Sequence, residues 1–271
     1  MEFATISGVE MAYRTAGSES GTPVVLIHGY TGNHRNWALN VKPLIKAGYR
    51  TVSPDNPGHG ASAAPEEFEP FELGEVADTI HQLSVGLDCD PAVVIGHSMG
   101  GAIAEEYAIR HPEAVSALVL VASAGGSSGA EREAMAEHID DLRAVYAEGG
   151  MDAVFEQQVA KGLRPGIEAA TPALRALTKS EFAKTSWAGF EFGGLALRTR
   201  HDTLARLAAL DKPVLVIVGE NESAALRTVA GDLAGAMPHA QTAVIDGAGH
   251  SPQFETPEAF NKVLLEFLGG L

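Results

Sequence analysis

Short apolar runs and amphipathic segments alternate along most of the 271-residue chain. The apolar runs are continuous rather than alternating, which is typical of strands buried on both faces of a parallel sheet. After an opening hairpin of residues 3–6 and 9–14, they predict strands at 23–28, 50–53, 92–96, 117–121, 213–218 and 242–245. Helical periodicity predicts helices at 34–47, 73–87, 99–110, 224–236 and 257–268. This order predicts an α/β fold with a mostly parallel, doubly wound sheet.

One long segment interrupts the alternation of strands and helices. From about residue 125 to 211 the pattern is helical, with candidate helices at 130–146, 151–161 and 171–184 and no convincing strand. A connection of this length is far longer than an ordinary crossover between two strands. We therefore predict a core formed by residues 1–124 and 212–271, and a helical cap (lid) of residues 125–211 inserted over the sheet.

Composition limits the classes of partner. A net charge of −16 argues against nucleic acid and against anionic membrane surfaces. No apolar stretch has the length of a membrane span, and the N-terminus lacks the features of a signal peptide, so a cytoplasmic location is the default expectation. Cys89 is the single cysteine, so we expect neither a disulfide nor a thiolate metal cluster. We expect no metal and no cofactor, and the residues leave open whether the chain is a monomer or a homo-oligomer.

The most informative motif is the Gly-His-Ser-Met-Gly sequence at 96–100, which lies between a predicted strand and a predicted helix. A tight strand-to-helix turn pushes its serine out of the sheet edge, and glycines on both sides permit the turn. The N-terminus of the following helix stabilises a developing negative charge. We therefore predict that Ser98 is a nucleophile. A second Gly-x-Ser-x-Gly match at 125–129 follows its strand only after several small residues, so Ser127 is interpreted as part of a flexible linker.

A serine nucleophile needs a base, and in an open parallel sheet reactive groups gather at the carboxyl ends of the strands. The histidines at or just after predicted strands are His28, His59, His97 and His250. His97 precedes Ser98 on the turn, so its side chain is expected to point elsewhere. His250 lies on a glycine-flanked loop after the last strand, and we predict that it is the base. The other histidines are interpreted as structural.

The acid that orients the imidazole should follow a strand, between the serine and the histidine in sequence. Asp211 precedes its strand, and Asp246 lies too close to His250 in sequence to reach back. Glu220 and Glu222 both follow a predicted strand, and the residues alone do not decide between them.

Acyl transfer also needs donors for the oxyanion and a pocket for the substrate. The backbone amide of Met99, directly after the nucleophile, is one expected donor. The amide of Tyr30, in the loop after the strand at 23–28, is the other. In the predicted cap, Trp187, Phe190 and Phe192 are candidate pocket residues, with packing inside the cap as the alternative interpretation.

Taken together, these motifs resemble the α/β-hydrolase superfamily, in its cap-bearing serine esterase and C–C hydrolase branch. The matching segments are 28–32, 55–62, 96–101, 219–222 and 247–250. In this family the acid stands three residues after the glycine that ends the strand, which implies Glu222 here, although aspartate is usual at that place. The family also implies that the loop at 55–62 is structural. A serine nucleophile argues against the haloalkane dehalogenase and epoxide hydrolase branches.

The resemblance implies a carboxylesterase-type serine hydrolase that cleaves a small carboxylic ester through an acyl-enzyme, with Ser98, His250 and Glu222 as its triad. One alternative is C–C bond hydrolysis of the meta-cleavage type, although the loop at 30–32 lacks the Gly-Pro-Gly found in many such enzymes. Lactone hydrolysis is another alternative. A slow-turnover ligand sensor that acts through a protein partner is an alternative from a different class.

Overall fold

The computed structural model describes residues 1–123, 129–164, 171–199 and 203–271. Within these ranges, eight strands form a single sheet. The strands are β1 (Glu2–Ile6), β2 (Val9–Ala16), β3 (Thr22–Ile27), β4 (Tyr49–Pro54), β5 (Ala92–His97), β6 (Val115–Val121), β7 (Val214–Gly219) and β8 (Ala240–Ile245). Their order across the sheet is β1-β2-β4-β3-β5-β6-β7-β8.

The sheet is antiparallel at one edge and parallel over the rest. β1 and β2 form a hairpin, and β2 pairs with β4 in the antiparallel orientation. From β4 through β3 and β5 to β8, each pairing is parallel. The central strands β5 and β7 are buried along their whole length, which explains their continuous apolar sequences. The predicted mostly parallel, doubly wound α/β sheet is confirmed.

Helices cover both faces of this sheet. In chain order, the described residues form α1 (Ala38–Lys46), α2 (Leu73–Gly86), α3 (Met99–Arg110), α4 (Gly129–Ala160), α5 (Pro172–Phe182), α6 (Trp187–Thr199), α7 (Leu204–Leu207), α8 (Ala224–Ala236), α9 (Pro252–Glu255) and α10 (Pro257–Leu268). Alternate residues of β3 divide the core, because successive side chains of a strand point to opposite faces. Val25 and Ile27 pack in one apolar cluster with α2, α3 and α8, whereas Val24 and Leu26 pack in another with α10.

The predicted helix at 34–47 begins differently from expectation. Its first turn, His34–Trp37, is a 3₁₀ helix, and the α-helix α1 starts only at Ala38. The side chain of Asn33 accepts a hydrogen bond from the backbone N–H of Arg35 at 3.0 Å. This local side-chain bond favours a tight capped turn over an immediate α-helical start.

We call α4 to α7, which lie between β6 and β7 in sequence, the helical insertion. Its helices enclose an apolar cluster of their own, which includes Leu142, Phe155, Phe182 and Phe190. α4 is interrupted at Gly150, whose φ of 64° breaks the helix between the first two predicted segments. The predicted boundary at residue 125 and the second serine motif with Ser127 lie outside the described residues. No helix in the part of the chain that the structure describes is both long and apolar enough to cross a membrane.

Within the helical insertion, α6 and the residue before it contact loops at the carboxyl ends of the strands. Ser186, just before α6, donates from its backbone N–H to the carbonyl of Gly58 at 2.8 Å. A Cβ atom at Gly189 would lie 2.3 Å from the same carbonyl oxygen, so the helix approaches this loop as closely as only glycine permits. The hydroxyl of Tyr30, in the loop after β3, donates to the carbonyl of Phe190 at 2.5 Å.

Candidate active site

Ser98 occupies the single residue between the end of β5 and the start of α3. Its backbone is in the left-handed region, with φ 54° and ψ −116°. A non-glycine residue with this conformation is strained and is held there only by its surroundings. A Cβ atom at Gly96 would lie 2.1 Å from the carbonyl oxygen of Gly100, so the turn requires glycine at that position. The turn leaves Ser98 half-buried at the end of β5.

His250 connects Ser98 to a buried carboxylate. The hydroxyl of Ser98 lies 3.0 Å from Nε2 of His250, and Nδ1 of the same ring lies 2.6 Å from Oε2 of Glu222. With Nδ1–H donating to the carboxylate, Nε2 is left as the acceptor for the serine hydroxyl. The three side chains come from the loops after β5, β7 and β8, and thus meet at one edge of the sheet.

The environment of Glu222 keeps its carboxyl group ionised. Its residue surface is only 7% exposed. Burial raises its pKa, but hydrogen bonds from His250 and from the backbone N–H of Ser223 lower it more, so the pKa lies below its usual value. The Ser223 amide donates to Oε1 at 2.7 Å, which leaves Oε2 directed at the imidazole. An ionised carboxylate here fixes the imidazole tautomer and stabilises an imidazolium.

Glu220, the other candidate acid, lies elsewhere. Its Oε2 accepts a hydrogen bond from the backbone N–H of Gly247 at 2.9 Å, and its side chain is exposed. Asp211, which precedes β7, lies against His239 at 2.9 Å. The structure therefore places Glu222, and not Glu220, against the imidazole.

The loop after β3 lies directly against the serine turn. A Cβ atom at Gly29 would lie 3.2 Å from Cβ of Ser98. Met99 is the first residue of α3, so its backbone N–H has no hydrogen-bond acceptor within the helix. Within the described part of the chain, neither the amide of Met99 nor that of Tyr30 donates a hydrogen bond. Both amides are thus available to an oxygen atom bound next to Ser98.

His28 and His59 stabilise the loops around the site. Nε2 of His28 accepts a hydrogen bond from the backbone N–H of Asn56 at 2.9 Å, and Nδ1 of His59 donates to the carbonyl of Pro57 at 2.8 Å. Asp55 accepts hydrogen bonds from the amides of His34 and Ala61 at 2.7 and 2.9 Å. Burial lowers the pKa of His28 and, to about 3, that of His59. Neutral rings and a bridging carboxylate agree with the structural interpretation of the loop at 55–62.

His97, which the sequence analysis interprets as structural, and Glu255, which it does not assign, hold the backbone around His250. Nε2–H of His97 donates to the carbonyl oxygen of His250 at 2.8 Å. The two oxygens of Glu255 accept hydrogen bonds from the amides on either side, at 2.6 Å from Gly249 and 2.7 Å from Ser251. These contacts join segments far apart in the chain or lie within an irregular loop, so no periodicity in the sequence indicates them.

The three aromatic pocket candidates have different surroundings. Phe190 has no exposed surface and packs inside the helical insertion, so the prediction that it lines a substrate pocket is wrong. Trp187 is half-buried, stacks on Tyr146 and donates from its indole N–H to Glu191 at 2.6 Å. Phe192 is also half-buried and makes edge contacts with the rings of Phe68 and Phe71. Trp187 and Phe192 remain candidates.

The site has a nucleophile in reach of a base, a base oriented by an acid, and two amides beside the nucleophile. This arrangement is suited to acyl transfer. Among the residues that the structure describes, no group of three or more His, Cys, Asp or Glu side chains is arranged to hold a metal ion.

Comparison with known proteins shows which family this chain belongs to. Residues 22–257 match the family model of the alpha/beta hydrolase fold. The chain belongs to the α/β-hydrolase family. The resemblance to this superfamily that the motifs indicated is therefore confirmed.

The relatives of this α/β hydrolase are named for several different activities. It is 31% identical to the dihydrolipoyllysine-residue acetyltransferase component of the acetoin cleaving system of Pseudomonas putida, over 98% of this chain and 68% of that protein. It is 26% identical to a 2-hydroxy-6-oxononadienedioate/2-hydroxy-6-oxononatrienedioate hydrolase of Cupriavidus pinatubonensis, over 98% and 94% of the two chains. A solved structure from a study of Nitrososphaera gargenis carboxylesterases superposes with a TM-score of 0.85 at 25% identity, covering 99% of this chain and 98% of that one. Family membership therefore leaves the reaction to be argued from the site.

Proposed function

We propose that this α/β hydrolase cleaves small carboxylic esters through an acyl-enzyme intermediate. The observation that carries the proposal is the chain of hydrogen bonds from Ser98 through His250 to Glu222, at 3.0 and 2.6 Å. A serine hydroxyl is a weak nucleophile on its own, and an adjacent oriented imidazole is what activates it. The strained turn at Ser98 supports this role, because such conformations are concentrated at functional sites.

In the first half of the reaction, Oγ of Ser98 attacks the ester carbonyl carbon while Nε2 of His250 accepts the hydroxyl proton. The carbonyl oxygen becomes an oxyanion and accepts hydrogen bonds from the amides of Tyr30 and Met99. When this tetrahedral intermediate collapses, the C–O bond to the alcohol breaks. His250 returns its proton to the leaving alkoxide, so an alcohol departs and an ester of Ser98 remains.

In the second half, a water molecule replaces the alcohol. Nε2 of His250 removes a proton from this water as its oxygen attacks the acyl carbon, and a second oxyanion forms at the same two amides. Collapse breaks the bond to Oγ of Ser98, which recovers the proton from His250. The products are the free acid and the resting enzyme. Through both halves, Glu222 keeps its position at Nδ1 and stabilises the imidazolium.

We also propose that the helical insertion acts as the cap over this site. The support is that α6 contacts the loops after β3 and β4 through Tyr30 and Gly58. The half-buried Trp187 and Phe192 of this helix are the candidates to contact the acyl or alcohol part. C–C bond and lactone hydrolysis would use the same nucleophile and base, and the likeness to the Cupriavidus pinatubonensis hydrolase makes the former the first alternative to test.

The direct test is turnover of p-nitrophenyl acetate and p-nitrophenyl butyrate by the purified protein and by two serine variants. The proposal expects turnover that Ser98→Ala reduces by a factor on the order of 10³ or more. Ser127→Ala, in the second serine motif, is the matched control and should keep the activity. Failure with esters but turnover of a lactone or a vinylogous diketone would replace the ester by that substrate class. Failure with all three would favour a ligand sensor.

A further inference from the structure

Arg164 places a guanidinium group beside the loop at residues 28–32 after β3, which carries the Tyr30 amide and which we call the oxyanion loop. The chain turns at the end of α4, with Gly162 at φ 68°, and Arg164 follows this turn. Its Nη2 donates to Oγ1 of Thr31 at 3.3 Å, and its Nε donates to Oε1 of Gln158 at 2.9 Å. Thr31 is the residue directly after Tyr30, whose amide we assign to the oxyanion. The guanidinium group thus contacts the residue next to the proposed oxyanion donor.

Arg164 differs from neighbouring cations because its hydrogen-bond partners are neutral. Several other basic side chains of the helical insertion form ion pairs with carboxylates, in the pairs Arg143–Glu191, Arg175–Glu156, Lys179–Glu156, Lys161–Asp141, Lys184–Glu181 and Arg206–Glu106. Arg164 makes no ion pair with a carboxylate within the described residues. A guanidinium has five N–H donors, and the two contacts above use two of them.

A partly buried charge without a counter-ion is costly, and aromatic contacts compensate for only part of the cost. The guanidinium carbon lies 4.1 Å from the ring centre of Phe182 and 5.3 Å from that of Phe155. Burial lowers the pKa of Arg164 to about 10, which still leaves the group charged at neutral pH. Arg164 as a whole residue is half-buried.

A second positive charge acts at the same place. The charges of Arg164 and Arg198 both act on the Tyr30 hydroxyl and lower its pKa, although burial, the larger effect, keeps that pKa above its usual value. Arg164 and Arg198 thus both act electrostatically on the Tyr30 side chain, in a chain whose net charge is −16. The positive charge of Arg164 beside this loop favours an anionic ligand.

We propose that Arg164 binds a carboxylate group of the substrate, so that the preferred ester carries a second, ionised carboxyl group. This inference rests on the proposed ester hydrolysis and specifies its substrate class. A guanidinium presents parallel N–H donors that match the two oxygens of a carboxylate. The bound carboxylate would be the counter-ion that the described residues do not supply to Arg164, and the contact to Thr31 would fix its position relative to the oxyanion loop.

The test compares two esters of equal chain length, phenyl hydrogen adipate, which ends in a carboxylate, and phenyl hexanoate, which ends in a methyl group. For each, kcat/KM is divided by the rate of hydroxide-catalysed hydrolysis. We expect the anionic ester to be preferred by about tenfold or more at low ionic strength. Arg164→Met keeps an apolar stem against the two rings but removes the charge, and should abolish the preference. Arg164→Lys should retain part of it. Arg175→Gln removes a cation that is already paired with Glu156, and is the matched control that should leave the preference intact.

A binding measurement separates this inference from the proposed reaction. Calorimetric titration of adipate into the Ser98→Ala protein should give binding that Arg164→Met weakens about tenfold or more. If neither ester is hydrolysed but adipate binds in this way, ester hydrolysis fails and the carboxylate site stands. If both esters are hydrolysed at equal normalised rates, or if the preference survives in Arg164→Met, the carboxylate site is overturned while ester hydrolysis stands.

Discussion

The imidazole of His97 holds the backbone of His250, with its Nε2–H 2.8 Å from the His250 carbonyl oxygen. His97 directly precedes Ser98, so a single side chain connects the nucleophile turn to the loop that carries the base. The two rings lie side by side, with centres 5.1 Å apart. Because the carbonyl oxygen can only accept, Nε2 of His97 must carry the proton. His97 is thus a positioning residue that acts through the backbone of His250.

Loss of this contact should slow the chemistry more than it weakens substrate binding. We expect His97→Phe to lower kcat by about tenfold, with KM changed much less. The reason is that a displaced His250 ring spends less time within hydrogen-bond distance of the Ser98 hydroxyl. His97→Gln can place an amide N–H near the same carbonyl and should recover most of the rate. Steady-state kinetics on one ester checks both variants. Equal kcat values for the Phe variant and the unmodified enzyme would remove His97 from the positioning network.

Glu255 should contribute in a similar way from the other side of the loop. Its two oxygens accept from the amides of Gly249 and Ser251, so it fixes the backbone on both sides of His250. Glu255→Gln retains only one acceptor oxygen, and we expect kcat to fall by roughly three- to tenfold. Glu258→Gln, an exposed glutamate in the first turn of α10, is the control and should keep the full rate. Identical rates for both variants would show that Glu255 is not needed to position the backbone around His250.

The two glutamates after β7 should have very different effects. Glu222→Gln keeps the shape of the side chain but presents the wrong partner to Nδ1–H of His250, and we expect kcat to fall by a factor on the order of 10²–10⁴. Glu220→Gln removes an exposed carboxylate that contacts only the Gly247 amide, and should cost roughly tenfold or less. Parallel kinetic measurements decide the matter, since the reverse order would make Glu220 the acid.

Buried histidines should make the fold sensitive to mild acid. Burial lowers the pKa of His97 and of His59 to about 3, whereas an imidazole in an unfolded chain has a pKa of about 6.5. As the pH falls below about 6.5, the unfolded chain binds protons that the folded chain does not bind. The free energy of unfolding should therefore fall by up to roughly 1.4 kcal/mol per pH unit for each ring. Stability is fully present above about pH 6.5 and is lost progressively towards pH 3.

Urea denaturation between about pH 7 and pH 4.5 measures this slope in a range where most carboxylates stay ionised. His97→Gln has no titratable ring at this position. The slope of its unfolding free energy against pH should therefore be smaller, by the contribution of about one proton. A slope equal to that of the unmodified chain would mean that His97 is protonated in the folded state.

Local sequence patterns predict the elements of this fold well where one residue type sets each boundary. α8 begins after Ser223, whose hydroxyl accepts from the Leu226 amide at 3.2 Å, and α10 begins at Pro257. α6 was not among the candidate helices. Its glycines at 189, 193 and 194 have low helix propensity. The helix passes close to Gly58 at Gly189 and close to the Tyr30 hydroxyl at Gly194. These contacts are tertiary and have no local signal.

The same distinction applies to the candidate site. Ser98 and His250 follow from turn glycines and strand order, which are local. The choice between Glu220 and Glu222 depends on the path of an irregular loop, in which the Asn221 amide donates to the Ala248 carbonyl at 2.8 Å and directs the two side chains to different sides. The contact of Arg164 with Thr31 joins residues 133 positions apart, and no spacing in the sequence encodes it.

The most direct test of the account is labelling with a fluorophosphonate probe followed by peptide mapping. The probe forms a covalent phosphonyl ester only with a serine whose hydroxyl is activated by a base beside an oxyanion site. The account predicts one label per chain, on Ser98, and loss of labelling in the His250→Ala variant. A label on Ser127, or undiminished labelling of Ser98 without His250, would contradict it.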